Sequence, residues 1–166
     1  TNNFQAVAAN QFQEDAFIAL LESAAYPPRN IKQNIADLKA QIAANNKGLA
    51  ALSNIVDKYG LSTVRNYMKH VRDNAALAIR AVLPTLKSGE AACTMDDGST
   101  VKVKITIKSD GEPGAIVDFT GTSAQSANNL NSPLAVCRSA VLYVFRTLTK
   151  AAIPLNEGCL EPIELI

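Results

Sequence analysis

The chain has 166 residues, 48% of them hydrophobic and 19% charged, and carries a net charge of +1. That length suits one domain, and that composition supports a packed core and excludes a disordered chain. The near-neutral charge gives no electrostatic reason to bind nucleic acid or an acidic surface, and no apolar run approaches the roughly 18 residues of a membrane span.

The chain opens on TNNFQAVAANQFQED, which lacks the basic-then-apolar pattern of a secretory leader. Residues 12–24 (FQEDAFIALLESA) predict a short helix with Phe12, Phe17, Leu20 and Leu21 on one side, ended by Pro27 and Pro28. Asn30 then offers an N-cap oxygen, with Gln33 three residues on as in a capping box. From there Ile31, Ile35, Leu38, Ile42, Leu49, Leu52, Val56 and Tyr59 follow steps of three and four, broken once at Asn45. This spacing predicts one long helix stopped by Gly60, about 44 Å from end to end. A second seam follows at once, through Leu61, Val64, Met68, Val71, Ala75, Ala78 and Val82, and ends at Pro84. Two seams joined by so short a link predict an antiparallel helical hairpin with coiled-coil-like packing.

The period then changes. Val101, Val103, Ile105 and Ile107 alternate with Lys102, Lys104, Thr106 and Lys108, the pattern of a half-buried strand. MDDG at 95–98 reads as the turn entering that strand. SDGEPG turns the chain into a second strand, AIVDFTG. A polar loop, TSAQSANNLNSP, leads to an apolar helix from about Leu134 to Thr149. After the irregular IPLNEGC, a strand is expected over 160–166. The expected fold is α+β in a single domain, 1–166. It comprises the long antiparallel helical hairpin (29–84), a small antiparallel β-hairpin (95–121), and a loop, buried helix and strand (122–166). The chain lacks an initiator methionine and ends on the strand-like LEPIELI, so an excerpt of a longer polypeptide is expected. Cys93, Cys137 and Cys159 match no metal or redox spacing, which fits a reduced cytoplasmic protein.

Several polar groups are candidates for chemistry. Asn34, Asp37, Gln41 and Asn45 fall within about 80° of one another on the long helix and edge its apolar seam. They form either a polar rim facing a cavity or partner, or a solvated edge in which Asn45 fixes helix register. His70, the sole histidine, is a weak candidate for proton transfer; the plain alternative is a hydrogen-bonded surface imidazole. Asp96, Asp97 and Asp110 read as turn residues. Asn128, Asn129, Asn131 and Ser132, with Arg138 one helical turn onward, could hold a carboxylate or an amide. The alternative is a loop stitched by asparagine-to-backbone bonds. Asn156–Gly158 is a weaker candidate of the same kind. There is no Gly-rich phosphate loop, no G-x-S-x-G, and no metal-ligand spacing.

Five ordered blocks carry a resemblance. They are RNIKQNIADLKAQIAANNKG, YGLSTVRNYMKHVRDNA, MDDGSTVKVKITI, DFTGTSAQSANNLNSPLAVCRSAVLYVFRTL and IPLNEGCLEPIEL. In order and spacing they resemble the hydantoinase B/oxoprolinase family over most of residues 29–166, with FQEDAFIALL fitting the lead-in. The resemblance implies part of an ATP-dependent cyclic amidohydrolase that opens a 5-oxoproline or hydantoin ring. It implies a hydantoinase A-type partner that binds ATP and phosphorylates the ring amide oxygen, making it a better leaving group. ATP and a divalent metal are then expected outside this region, with none bound by the region itself. Asp37, Gln41, Asn45, His70, Asp118, Asn129, Asn131, Arg138, Asn156 and Gly158 match the family pattern. Asn128 departs from it, because the family tends to have glycine there. On this reading Asn131, Arg138, Asn129 and Asn45 are the candidate substrate-binding residues, the catalytic residue is unassigned apart from the weak candidate His70, and no metal ligand is named. Two other readings stay open: an assembly module docking the A-type part or a second copy, and a relative of the family's carboxylases.

Overall fold

The computed structural model describes residues 4–128, 130–149 and 152–166. Its helices and its antiparallel and mixed sheets make an α+β protein. Packing divides the chain into two compact units, one ending at Leu61 and one running from Ser62 to Ile166. The division falls inside the segment expected to form the helical hairpin.

In the first unit, β1 (Val7–Ala8) pairs antiparallel with β2 (Gln11–Phe12). The turn between them places Ala9 and Asn10 at φ 48° and 63°, the left-handed pair that lets a two-residue connection match strand twist. Phe12 thus belongs to a strand, and α1 (Glu14–Glu22) starts later than its sequence predicts. The rings of Phe4 and Phe12 lie 5.7 and 6.2 Å from that of Phe17. Next comes α2 (Ile31–Tyr59), with the bounds expected from its caps. The Asn30 side-chain oxygen accepts the Gln33 N–H at 3.1 Å. The reciprocal half of a capping box is absent, because the Gln33 amide donates to Asp37 at 2.7 Å instead. Gly60, at φ 81°, ends the helix and donates its N–H to the Val56 carbonyl.

The α2 seam is buried only at Ile35, near the Lys39–Glu14 ion pair. Leu49, Leu52, Ile55 and Tyr59 are exposed. Within its own unit, then, only the N-terminal part of the seam is covered. Helical spacing decides which residues share a face, not whether anything covers that face.

In the second unit, α3 (Leu61–Val82) runs into a 3₁₀ turn at Leu83–Thr85 that contains Pro84. Its inner face supplies Ala75 and Ile79, with Leu83 beyond; Leu61, Met68 and Val71 are exposed. A four-stranded sheet follows in the order β3 (Gly89–Thr94), β4 (Thr100–Lys108), β5 (Gly114–Asp118), β6 (Ile163–Leu165). The first three strands are antiparallel, and β6 adds to β5 in parallel. The β4–β5 pair is the expected hairpin, while β3 is an additional edge strand. The MDDG turn therefore joins two strands. A parallel neighbour requires a crossover, and α4 (Leu134–Thr147) with a 3₁₀ turn at Glu157–Leu160 supplies it. The core gathers Ile79 and Leu83, Ala115 and Val117 of β5, Val141 and Phe145 of α4, and Ile153, Cys159, Leu160 and Ile163. Val103, Ile105 and Ile107 pack on it from β4, as their alternation predicts.

Candidate functional site

A cleft of about 980 Å³ opens between the β3–β4 turn and the loop that precedes α4. Met95, Val101, Leu130 and Pro133 give it an apolar lining. Asp96, Asp97, Thr122, Gln125, Asn131 and Ser132 supply the polar groups. An apolar recess with a few placed polar groups is the usual make-up of a small-molecule site.

Each wall is built by side chains bonding to backbone. On the turn side, the Asp97 carboxylate accepts from the Ser99 N–H at 2.9 Å and from its hydroxyl at 2.5 Å. The hydroxyl bond first, then the backbone bond, holds the Asp97 carboxyl below its ordinary value. On the loop side, residues 122 and 123 run beside the start of β4. Thr122 Oγ1 accepts from Lys102 N–H at 3.0 Å, and Ser123 Oγ accepts from Thr100 N–H at 2.9 Å. Further along, Asn131 ties the loop together. Its side-chain oxygen accepts the Ser126 N–H at 2.8 Å, and its amide donates to the carbonyls of Ser126 and Asn128 at 2.9 and 2.8 Å. The loop is stitched in the way that asparagine permits.

The other candidates fall elsewhere. Arg138 pairs with Glu157 at 2.8 Å and is not among the residues lining the cleft. Asn156 caps the 3₁₀ turn by accepting the Gly158 N–H at 2.8 Å. His70 is exposed on α3, with its ring 6.3 Å from that of Tyr67 in an edge-on arrangement. The neighbouring Asp73 is engaged by Lys69, whose hydrogen bond holds that carboxyl below its ordinary value. Asn45 is exposed on α2, in the first unit. Asn129 lies outside the described residues. Asp118, at the end of β5, accepts the Thr120 N–H at 2.8 Å; bonds from Thr120 lower its carboxyl. The structure thus brings Asn131, Asn128 and Ser126 together, and adds the Asp96–Asp97 turn as their neighbour across the cleft. Among the described residues, no group of three or more His, Cys, Asp or Glu side chains is gathered as a metal site. No helix among them is long and apolar enough to cross a membrane.

The family model described as hydantoinase B/oxoprolinase matches residues 1–166. The chain belongs to the hydantoinase B/oxoprolinase family. This hydantoinase B-type chain is 39% identical to 5-oxoprolinase 1 of Arabidopsis thaliana, over 98% of its own length and 15% of that protein. It is 27% identical to the B-type subunit of a putative D-/L-hydantoinase from a Pseudomonas species, over 80% of its length and 25% of that relative. Among solved structures, an ATP-dependent caprolactamase from Pseudomonas jessenii shares its fold. The TM-score is 0.65 at 24% identity, over 96% of this chain and 28% of that one. The chain therefore spans only a small part of the relatives it matches.

Proposed function

We propose that this hydantoinase B-type region is part of an ATP-dependent cyclic amidohydrolase that opens a 5-oxoproline or hydantoin ring. The observation that carries the reading is the family match along the whole chain, supported by relatives named 5-oxoprolinase. ATP supplies the activation of the ring amide oxygen, and this region offers no Gly-rich phosphate loop for it. The work left to these residues is to hold a small polar ring, which in 5-oxoproline also carries a carboxylate. The cleft suits that task. Its apolar lining accepts ring methylenes, while Gln125 and Ser132 offer hydrogen-bonding groups for the amide. Asn131 spends both ends of its amide on the loop, so its role is to position those neighbours. The enzyme is read as cytoplasmic, with an A-type part as its partner and a divalent metal held elsewhere.

The test uses the enzyme from the intact gene. Phosphate release from ATP should depend on 5-oxoproline or a hydantoin, and Gln125→Ala or Ser132→Ala should raise KM for the ring. Absence of ring-dependent ATP hydrolysis across such substrates would overturn the reading of the enzyme. Unchanged KM in both variants would remove the cleft from it.

A second reading, assembly, is favoured by the exposed Leu49, Leu52, Ile55 and Tyr59 on α2 and by a relative whose name marks it as one part of a multi-subunit enzyme. Light scattering on the intact B-type polypeptide, alone and with its A-type part, tests it. Loss of association in Leu52→Lys, with kcat retained in the residual complex, supports docking; undisturbed association rejects it.

A further inference from the structure

The second unit carries an apolar surface that its own fold does not use. On α4, Val141 and Phe145 face the core. At about 100° per residue, Val136, Ala140, Tyr143, Val144 and Thr147 share a different face about 100° wide. Val136, Tyr143 and Val144 are exposed by 55%, 72% and 51%, and Ala140 and Thr147 are exposed as well. No charged residue lies on that face. The two charges of the helix are both spent within the unit: Arg138 on Glu157 at 2.8 Å, and Arg146 on the Ile153 carbonyl at 3.0 Å. A helix that meets water ordinarily turns its charges outward, whereas one apolar on both sides is buried. This one keeps its arginines off the outer face. Small Ala140 lies between Val136 and Val144 on the wheel, leaving room for another backbone.

We infer that the outer face of α4 is a seat for another segment of the same polypeptide, an uncharged apolar helix or strand, which makes α4 an interior helix of the intact enzyme. The greater length of its relatives supports that occupant. This region is 15% of the Arabidopsis 5-oxoprolinase it matches and 28% of the caprolactamase chain whose fold it shares. The seat begins beside the cleft, since Pro133 lines the cleft and α4 starts at Leu134. The inference rests on family membership and not on the identity of the ring substrate.

Hydroxyl-radical footprinting of the full-length enzyme, with Tyr143 read by mass spectrometry, tests it. The B-type polypeptide is labelled over a range of concentrations, with its oligomeric state followed by light scattering, and with and without any separate A-type part. Tyr143 should react about tenfold more slowly than in urea-unfolded enzyme, as expected for a side chain reached only by opening of the fold. That protection should hold at every concentration and without the A-type part. Reaction at the unfolded rate overturns the inference. Protection that arises only on self-association assigns the face to a second copy, and protection that needs the A-type part assigns it to that partner; either result also overturns it.

Discussion

Gly158 stands so close to Arg72 that a β-carbon on it would lie 2.0 Å from the Arg72 carbonyl oxygen and 2.8 Å from the carbonyl carbon. Backbone cannot retreat as a flexible side chain can. The contact is held from both flanks: the Asn156 amide donates to the Val71 carbonyl at 3.4 Å, and Arg72 pairs with Glu161 at 3.2 Å. Glycine is thus required by close approach of the 3₁₀ turn to α3. Gly158→Ala should cost about 3 kcal/mol through overpacking. Gly48, in mid-helix with nothing within 4 Å of a β-carbon, should respond oppositely, with Gly48→Ala gaining about 1 kcal/mol. Urea unfolding of the two variants checks both. Equal behaviour of the pair would refute the close-contact account.

Asn131 makes three bonds that close the loop on itself, with Ser126 and Asn128 as partners. Asn131→Ala removes all three. Asn131→Asp keeps the acceptor for the Ser126 N–H but loses both donor bonds. Because the loop is exposed, the stability loss for alanine should be only about 1–2 kcal/mol. The larger effect should fall on kcat/KM, since the cleft loses its ordered wall, with aspartate intermediate. Steady-state kinetics together with amide exchange at residues 126–131 measure it. A kinetic defect without faster exchange there would mean that Asn131 touches substrate directly.

Much of the fold is legible because it follows from local chemistry. The cap at Asn30 and the stop at Gly60 bound α2, and the alternation from Val101 to Ile107 marks β4. GEAACT, which forms β3, has no alternation and only one β-branched residue; its pairing with β4 decides its structure. Likewise, parallel pairing of β6 with β5 depends on a crossover that no short window contains. The site shows the same division. The asparagine loop is readable from composition, as is its self-stitching. Its position across a cleft from Asp97 follows only once β3 turns back onto β4. Arg138 finds Glu157, 19 residues on, a partner that sequence distance conceals.

Arg80 presents two observations that pull apart. Its Nε lies 3.0 Å from a Glu112 carboxylate oxygen, yet that buried Nε makes no hydrogen bond. The distance is right and the alignment is not, so only the charge attraction is realised. Glu112 is 71% exposed and Arg80 only 18%, so water screens much of that attraction. Glu112→Ala should therefore cost no more than about 1 kcal/mol. Arg80→Leu removes the unbonded buried N–H and should be neutral or mildly stabilising. Urea midpoints decide between these values and the loss of several kcal/mol that a well-formed buried pair would show on losing one partner.

Asp97 gives the β3–β4 turn a pH dependence with a definite sign. Ser99 holds its carboxyl below the ordinary value, chiefly through the hydroxyl. A carboxyl depressed by folding lends stability at pH above its unfolded value, about 3.9, and loses it as pH falls through the folded value. The turn should therefore be intact at neutral pH and loosen only below about pH 4. Ser99→Ala should move the loosening upward, because it removes the largest cause of the depression. Asp97→Asn keeps an acceptor without a titrating group, so its turn should hold over the same interval. Protection factors of the Ser99 amide between pH 5 and pH 3 report the difference. Parallel loss of protection in wild type and Asp97→Asn would mean that some other group governs the turn.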